Sequence, residues 1–290
     1  MRIAQFLIVT SVICLLAACT KYETQYIPDN TIPPDETVSD VKVENYANKV
    51  YISLLGREAT ATEMEAAKAT LRQNNVSADD RKQFIASVLA DSAYYFRVLT
   101  IATDQLIRQS IDTNFINLQI DLYTDRLNDP QYANFRDQIL YEIDRYTELK
   151  RLEKDYINGL IELKEVHRRL VNNLFYDDIN MGTTNFVISC FENFLFRSPT
   201  GNELADGENM VNGLYGQFLL IEGRSKDDFL DIFFSNDLYY EGQVRTLFKR
   251  YLFREPNSEE SAYYTARFSS NLNYEELQTA ILSLNEYAEF

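Results

Sequence analysis

Three segments of this chain can be laid over one another, and that recurrence limits its architecture more than any other feature. They begin at Leu54-Leu55-Gly56-Arg57, Phe194-Leu195-Phe196-Arg197 and Tyr251-Leu252-Phe253-Arg254. Three residues after each arginine stands Thr60, Thr200 or Asn257, and three further on Glu63, Glu203 or Glu260. Thr or Asn followed by Glu at that interval is a capping box, which satisfies the free amides at a helix N-terminus. Pro199 and Pro256 stand between arginine and cap in the second and third copies. Proline cannot continue a helix, and it biases the residue before it to an extended conformation. Arginine in the last turn of the preceding helix is expected to complement its C-terminal carbonyls and dipole. The motif therefore predicts a helix, a tight turn and a capped helix.

A second cap signal follows each copy, at Ser77-Ala78-Asp79-Asp80, Ser225-Lys226-Asp227-Asp228 and Asn273-Tyr274-Glu275-Glu276. Each opens an apolar stretch, and tyrosines follow at Tyr94-Tyr95, Tyr239-Tyr240 and Tyr287. The reading is an all-α fold of three related three-helix repeat units, over 41–96, 182–241 and 242–290. A long helical-hairpin insertion, 97–181, lies between the first and second. Within it two long helices are expected, broken near Asn128-Asp129-Pro130. In the second of these, Leu149, Tyr156, Leu163 and Leu170 recur every seven residues beside Ile139, Tyr146, Leu160 and Leu174. Such a seam suits a hairpin partner or another helix. Packing on its own chain is the favoured expectation, with the hairpin reaching away from the repeats and removable without unfolding them.

The Leu-Leu-Gly-Arg signature with its later Glu, closed by an acid and Tyr, resembles a small helical repeat domain of unknown function in exported bacterial proteins. It is also loosely similar to the core of phycobilisome linker domains. The likeness covers the three units, and neither tether nor insertion. It implies a helical repeat fold and brings no catalytic residue.

The N-terminus reads as a secretory signal: Met1-Arg2, an apolar run from Ile3 to Leu16, then Leu16-Ala17-Ala18-Cys19. The run is shorter than the ~20 apolar residues of a spanning helix. Its ending resembles the lipobox of bacterial lipoproteins, which implies cleavage after residue 18 and acylation of Cys19. The resemblance implies a lipid anchor in the bilayer through the Cys19 acyl chains, and Thr20 in second place favours the outer membrane. Residues 19–40, with Pro28, Pro33 and Pro34 among polar side chains, read as a flexible tether.

Of 28 basic side chains Arg2 alone lies in the signal, so the mature chain sets 27 against 44 acidic ones, a formal net charge of −17. Such a balance argues against nucleic acid as a partner. Without the signal's Cys14 and the acylated Cys19, only Cys190 remains, in an apolar run that reads as buried core. The single histidine, His167, has no Cys or His near it in sequence, so no metal site is expected. Asp177-Asp178 with Asn180 and Gly182 misses the calcium-loop spacing. Asp91-Ser92-Ala93 resembles the O-glycosylation tripeptide of the Bacteroidetes, at a position expected to be covered. Glu63, Glu203 and Glu260 are explained by capping, so no catalytic residue, cofactor or enzymatic activity is expected. Twenty tyrosines and eighteen phenylalanines fall mostly on apolar helical faces, which predicts core. The functional expectation is a lipid-anchored, non-enzymatic scaffold or accessory subunit that binds envelope or cell-surface proteins. The alternative is a glycan-binding or glycan-processing surface lipoprotein, which would require exposed aromatics grouped with carboxylates in one cleft.

Overall fold

The computed structural model describes residues 38–290. The signal peptide, Cys19 and all but the last residues of the tether lie outside the described residues. The fold is all-α, with one two-stranded ribbon.

Helix α1 (Asp40–Leu55) starts on Ser39, whose hydroxyl accepts from the Lys42 amide. It buries Val43, Tyr46, Ala47, Val50, Tyr51 and Leu54, the three-and-four spacing of one helical face. It ends because Gly56 takes a left-handed conformation, φ 75°. Then come α2 (Ala61–Leu71), α3 (Ala78–Leu89) and α4 (Ala93–Leu106). The stretch read as an insertion holds α5 (Thr113–Asn128), a 3₁₀ turn (Pro130–Phe135), α6 (Arg136–Ile157), α7 (Leu163–Val171) and α8 (Leu174–Ile179). After it stand α9 (Thr183–Leu195), α10 (Gly201–Val211), the ribbon β1 (Gly216–Phe218) and β2 (Ile221–Gly223), α11 (Lys226–Ser235) and α12 (Asp237–Leu247). α12 runs on as one π-helical turn (Phe248–Leu252), and α13 (Ser258–Asn271), α14 (Tyr274–Leu282) and α15 (Asn285–Ala288) complete the chain.

The two ends of the described chain close on each other. The Tyr46 hydroxyl donates to the Leu282 carbonyl at 3.1 Å. Arg81 donates to the Ser283 carbonyl at 2.9 Å and to Asn285 Oδ1 at 2.6 Å. Between them one core runs through aromatic side chains. Phe191, Phe194, Phe218, Phe229, Phe233, Phe234 and Tyr239 are all buried and meet mostly edge to face. Each such ring contributes about 1.5–3 kcal/mol by burial, and well-oriented pairs add about 0.5–1.5 kcal/mol. At the crossing of α12 with α9 the helices touch backbone to backbone. A Cβ on Gly242 would fall 1.8 Å from the Phe194 carbonyl oxygen.

Three expectations need correcting. First, the limits set at 96/97 and 241/242 fall inside α4 and α12. Second, the heptad seam does not run down one helix. The chain turns at Asn158-Gly159, with Gly159 left-handed at φ 65°, and Leu160 stands 70 % exposed in the turn. Third, the insertion does not simply reach away from the repeats. Tyr146, Leu149, Leu152, Tyr156, Leu163, Val166 and Leu170 belong to the common core. Arg168 of α7 pairs with Asp227 at 2.9 Å and Asp231 at 2.7 Å on α11, and Lys226 pairs with Asp177 at 2.7 Å. Only the outer part, α5 and the start of α6, is thinly packed; Ile116 is the one fully buried residue of α5. The expected break near Asn128-Asp129-Pro130 is present, because Asp129 caps the 3₁₀ turn begun by Pro130.

The ribbon had no forecast. Its two-residue turn, Leu219-Leu220, holds both residues at positive φ, 50° and 68°, where Asn-Gly is the usual choice.

Candidate functional site

The recurring motif builds the same clamp three times. Arg57, Arg197 and Arg254 each grip their glutamate with two guanidinium nitrogens. Distances are 2.8 and 2.7 Å to Glu63, 2.8 and 2.6 Å to Glu203, and 2.7 and 2.7 Å to Glu260. One glutamate oxygen also accepts from the amide of Thr60, Thr200 or Asn257, whose side chain accepts in return from the glutamate amide. Contrary to the expectation from sequence, the arginines do not cap the helix before them. Gly56, Phe196 and Phe253 end those helices in left-handed conformation, and the arginine beyond donates to the carbonyl of the next residue, Glu58, Ser198 or Glu255. Each guanidinium also lies over an aromatic ring six positions earlier: Tyr51 at 5.6 Å, Phe191 at 4.9 Å and Phe248 at 5.0 Å. The same six-residue interval from aromatic ring to arginine stands in the sequence of all three segments.

The clamp holds structure and leaves little for chemistry. The bidentate Arg57 and the Thr60 amide hold the Glu63 carboxyl down to about 2, and Arg197 with the Thr200 amide do the same for Glu203. Arg254 lowers Glu260 likewise. All three are ionised near neutrality with both oxygens occupied, the wrong state for a general acid and a poor one for a base.

Other residues raised by the sequence are placed as follows. Cys190 is buried, and burial pushes its thiol up to about 12. Asp177 accepts from Arg145 at 2.6 Å and from Lys226 at 2.7 Å, so its oxygens serve ion pairs. Asn180 accepts from the Ser189 hydroxyl at 2.6 Å, and Gly182 begins α9. Ser92, expected to be covered, is exposed at the start of α4. His167 is buried on α7, with Nδ1 2.8 Å from the Tyr239 hydroxyl. Burial, and secondarily Arg250, holds its imidazole down to about 3, so it is neutral. Among the described residues no group of three or more His, Cys, Asp or Glu is placed to hold a metal ion.

Two kinds of surface stand out. On the outer part of the insertion, Leu118, Leu122, Tyr132, Phe135 and Leu140 are all more than a third exposed, with Leu118 at 63 % and Phe135 at 55 %. Leu118 and Leu122 share one face of α5, one turn apart. A second set, Leu214, Tyr215, Leu220 and Ile221, is exposed on and around the ribbon. There is also a surface groove lined by Arg81, Glu260, Tyr263, Tyr264, Arg267, Glu276 and Glu286. Its carboxylates are engaged: Glu260 and Glu286 by Arg254, Glu276 by Arg267. Among the described residues no single helix is long and apolar enough to cross a membrane.

Comparison with protein-family models, with characterised proteins and with solved structures finds no match to the chain.

Proposed function

We propose that the protein is a non-enzymatic scaffold or accessory subunit, held at the outer membrane by acyl chains on Cys19, that binds other envelope or cell-surface proteins. The observation that carries this reading is the exposed apolar set on the outer insertion, Leu118, Leu122, Tyr132, Phe135 and Leu140. Singly exposed apolar residues are ordinary, but five within 23 positions of one hairpin are the kind of feature that marks a protein-binding surface. The rest of the insertion is tied into the core by buried side chains and ion pairs, so it presents that surface on a rigid base.

The test is a paired pull-down from solubilised envelopes with the parent chain and with Leu118→Glu/Leu122→Glu. Both side chains are exposed, so the variant should fold, and it should lose a stoichiometric partner that the parent retains. A partner recovered equally by both would move the interface elsewhere. Cys19→Ala should release the protein from the membrane fraction or leave an uncleaved precursor. Acyl labelling unchanged in that variant would defeat the anchor.

A second reading, glycan binding, has one observation in its favour: Tyr263 stands 58 % exposed in the groove beside Glu260, Glu276 and Glu286. Since those carboxylates are bound to arginines, the groove suits sugar stacking better than sugar hydrolysis. Saturable glycan binding abolished by Tyr263→Ala would favour it.

A further inference from the structure

A small, partly open cavity, about 30 Å³, lies where α4, α7, α12, the π turn and α14 meet. Arg97 of α4 and Arg250 of the π turn both line it, together with His167, Gln243, Tyr251 and Gln278. No Asp or Glu lines it. In a chain with 44 acidic side chains against 28 basic ones, two arginines beside one cavity without a carboxylate is the reverse of what composition would deliver. The Arg97 Nε is buried and has no hydrogen-bond partner. Its guanidinium is pressed against Gly56, where an added Cβ would come within 3.2 Å of Cδ and Nε. Both arginines are partly exposed as residues, but a buried N–H of a charged group without a partner is costly, so such groups are normally paired.

Some of the surrounding polar groups are tied to one another. The Tyr94 hydroxyl donates to Gln278 Oε1 at 2.5 Å, which fixes the amide so that Nε2 donates to the Tyr251 oxygen at 2.8 Å. The Tyr251 oxygen is thereby used as an acceptor. Gln243, 4 % exposed, adds a further amide to the lining. Two cations and no carboxylate thus line a volume that suits one or two waters or one small anion; it is too small for a phosphate ester or nucleotide.

We propose that this cavity binds a single small inorganic anion of chloride size, held between Arg97 and Arg250. The anion supplies the missing counter-charge where the first repeat, the insertion and the last two repeats meet. It therefore acts as a structural ligand whose binding free energy is part of the stability of the folded chain.

The test is thermal unfolding of the tether-and-domain chain, residues 20–290, at constant ionic strength. Chloride or bromide replaces gluconate, which is too large to enter. The melting temperature should rise saturably by about 3–6 °C at ten times the dissociation constant. Arg250→Gln and Arg97→Gln should each abolish that rise. Should either variant fail to fold, bromide-soaked crystals of the parent decide, with anomalous density expected between the two guanidinium groups. Equal melting temperatures in chloride and gluconate, or no anomalous density in the cavity, would overturn the proposal and leave the space to water.

Discussion

Gly242 sits in the middle of α12, where that helix crosses α9, and alanine there should be among the most damaging single substitutions in the protein. The new Cβ would lie 1.8 Å from the Phe194 carbonyl oxygen and 3.0 Å from its carbon. Both obstacles are backbone, so no rotamer change relieves them. The helices must separate by roughly 1–1.5 Å to restore ordinary contact, which also loosens Phe194, Leu195, Val244 and Leu247. Overpacking typically costs about 1–3 kcal/mol, and this rigid case belongs at about 3 kcal/mol or above. For a domain of this size that is a fall in melting temperature of about 6–12 °C. Gly201, the first residue of α10, is the control. Nothing lies within 4 Å of its added Cβ and its φ is not positive, so Gly201→Ala should be neutral or stabilise by up to about 1 kcal/mol. Circular-dichroism melts and urea titrations of both variants test the pair. Gly242→Ala melting within 2 °C of the parent would refute the backbone contact between α9 and α12.

The other expected outcomes are these. Thr200→Ala and Asn257→Ala should each lower stability by about 0.5–2 kcal/mol in urea titrations, the usual cost of an N-cap. Because Arg197 holds Glu203 down to about 2, its contribution is complete above the ordinary carboxylate value and is lost as pH falls from about 4.5 towards 2. Urea midpoints measured from pH 5 to pH 2.5 should therefore drop less steeply in Glu203→Gln than in the parent; parallel curves would count against the clamp. Deleting residues 107–181 and joining the ends with a Gly/Ser linker should give a chain without a cooperative melt, since Leu149, Leu163, Val166 and Leu170 leave the core with it. Cys190, at 0 % exposure, should react with a thiol reagent only at the rate of unfolding.

The helical class, the capping boxes on Thr60, Thr200 and Asn257, and the break at Pro130 were legible because caps and prolines act locally. The role of the arginines was not. Phe196 and Phe253 end their helices left-handed, which no propensity of phenylalanine announces, and this carries each arginine past the carbonyls it was expected to serve. The turn at Asn158-Gly159 did carry a signal in its glycine, but the heptad count ran across it. The ribbon was hidden because Leu219-Leu220 lacks the residues that favour its turn. The cavity between Arg97 and Arg250 unites residues 153 positions apart, a proximity only the closed tertiary structure creates.

The inner insertion belongs to one core, and its outer hairpin is thinly packed against it. Amide hydrogen exchange on the parent chain tests this directly. Tyr146–Ile157 of α6 and Val166–Val171 of α7 should exchange as slowly as the buried turns of α1, α9 and α12, with most of α5 much faster. Fast exchange throughout 113–171 beside a protected α1, α9 and α12 would contradict it.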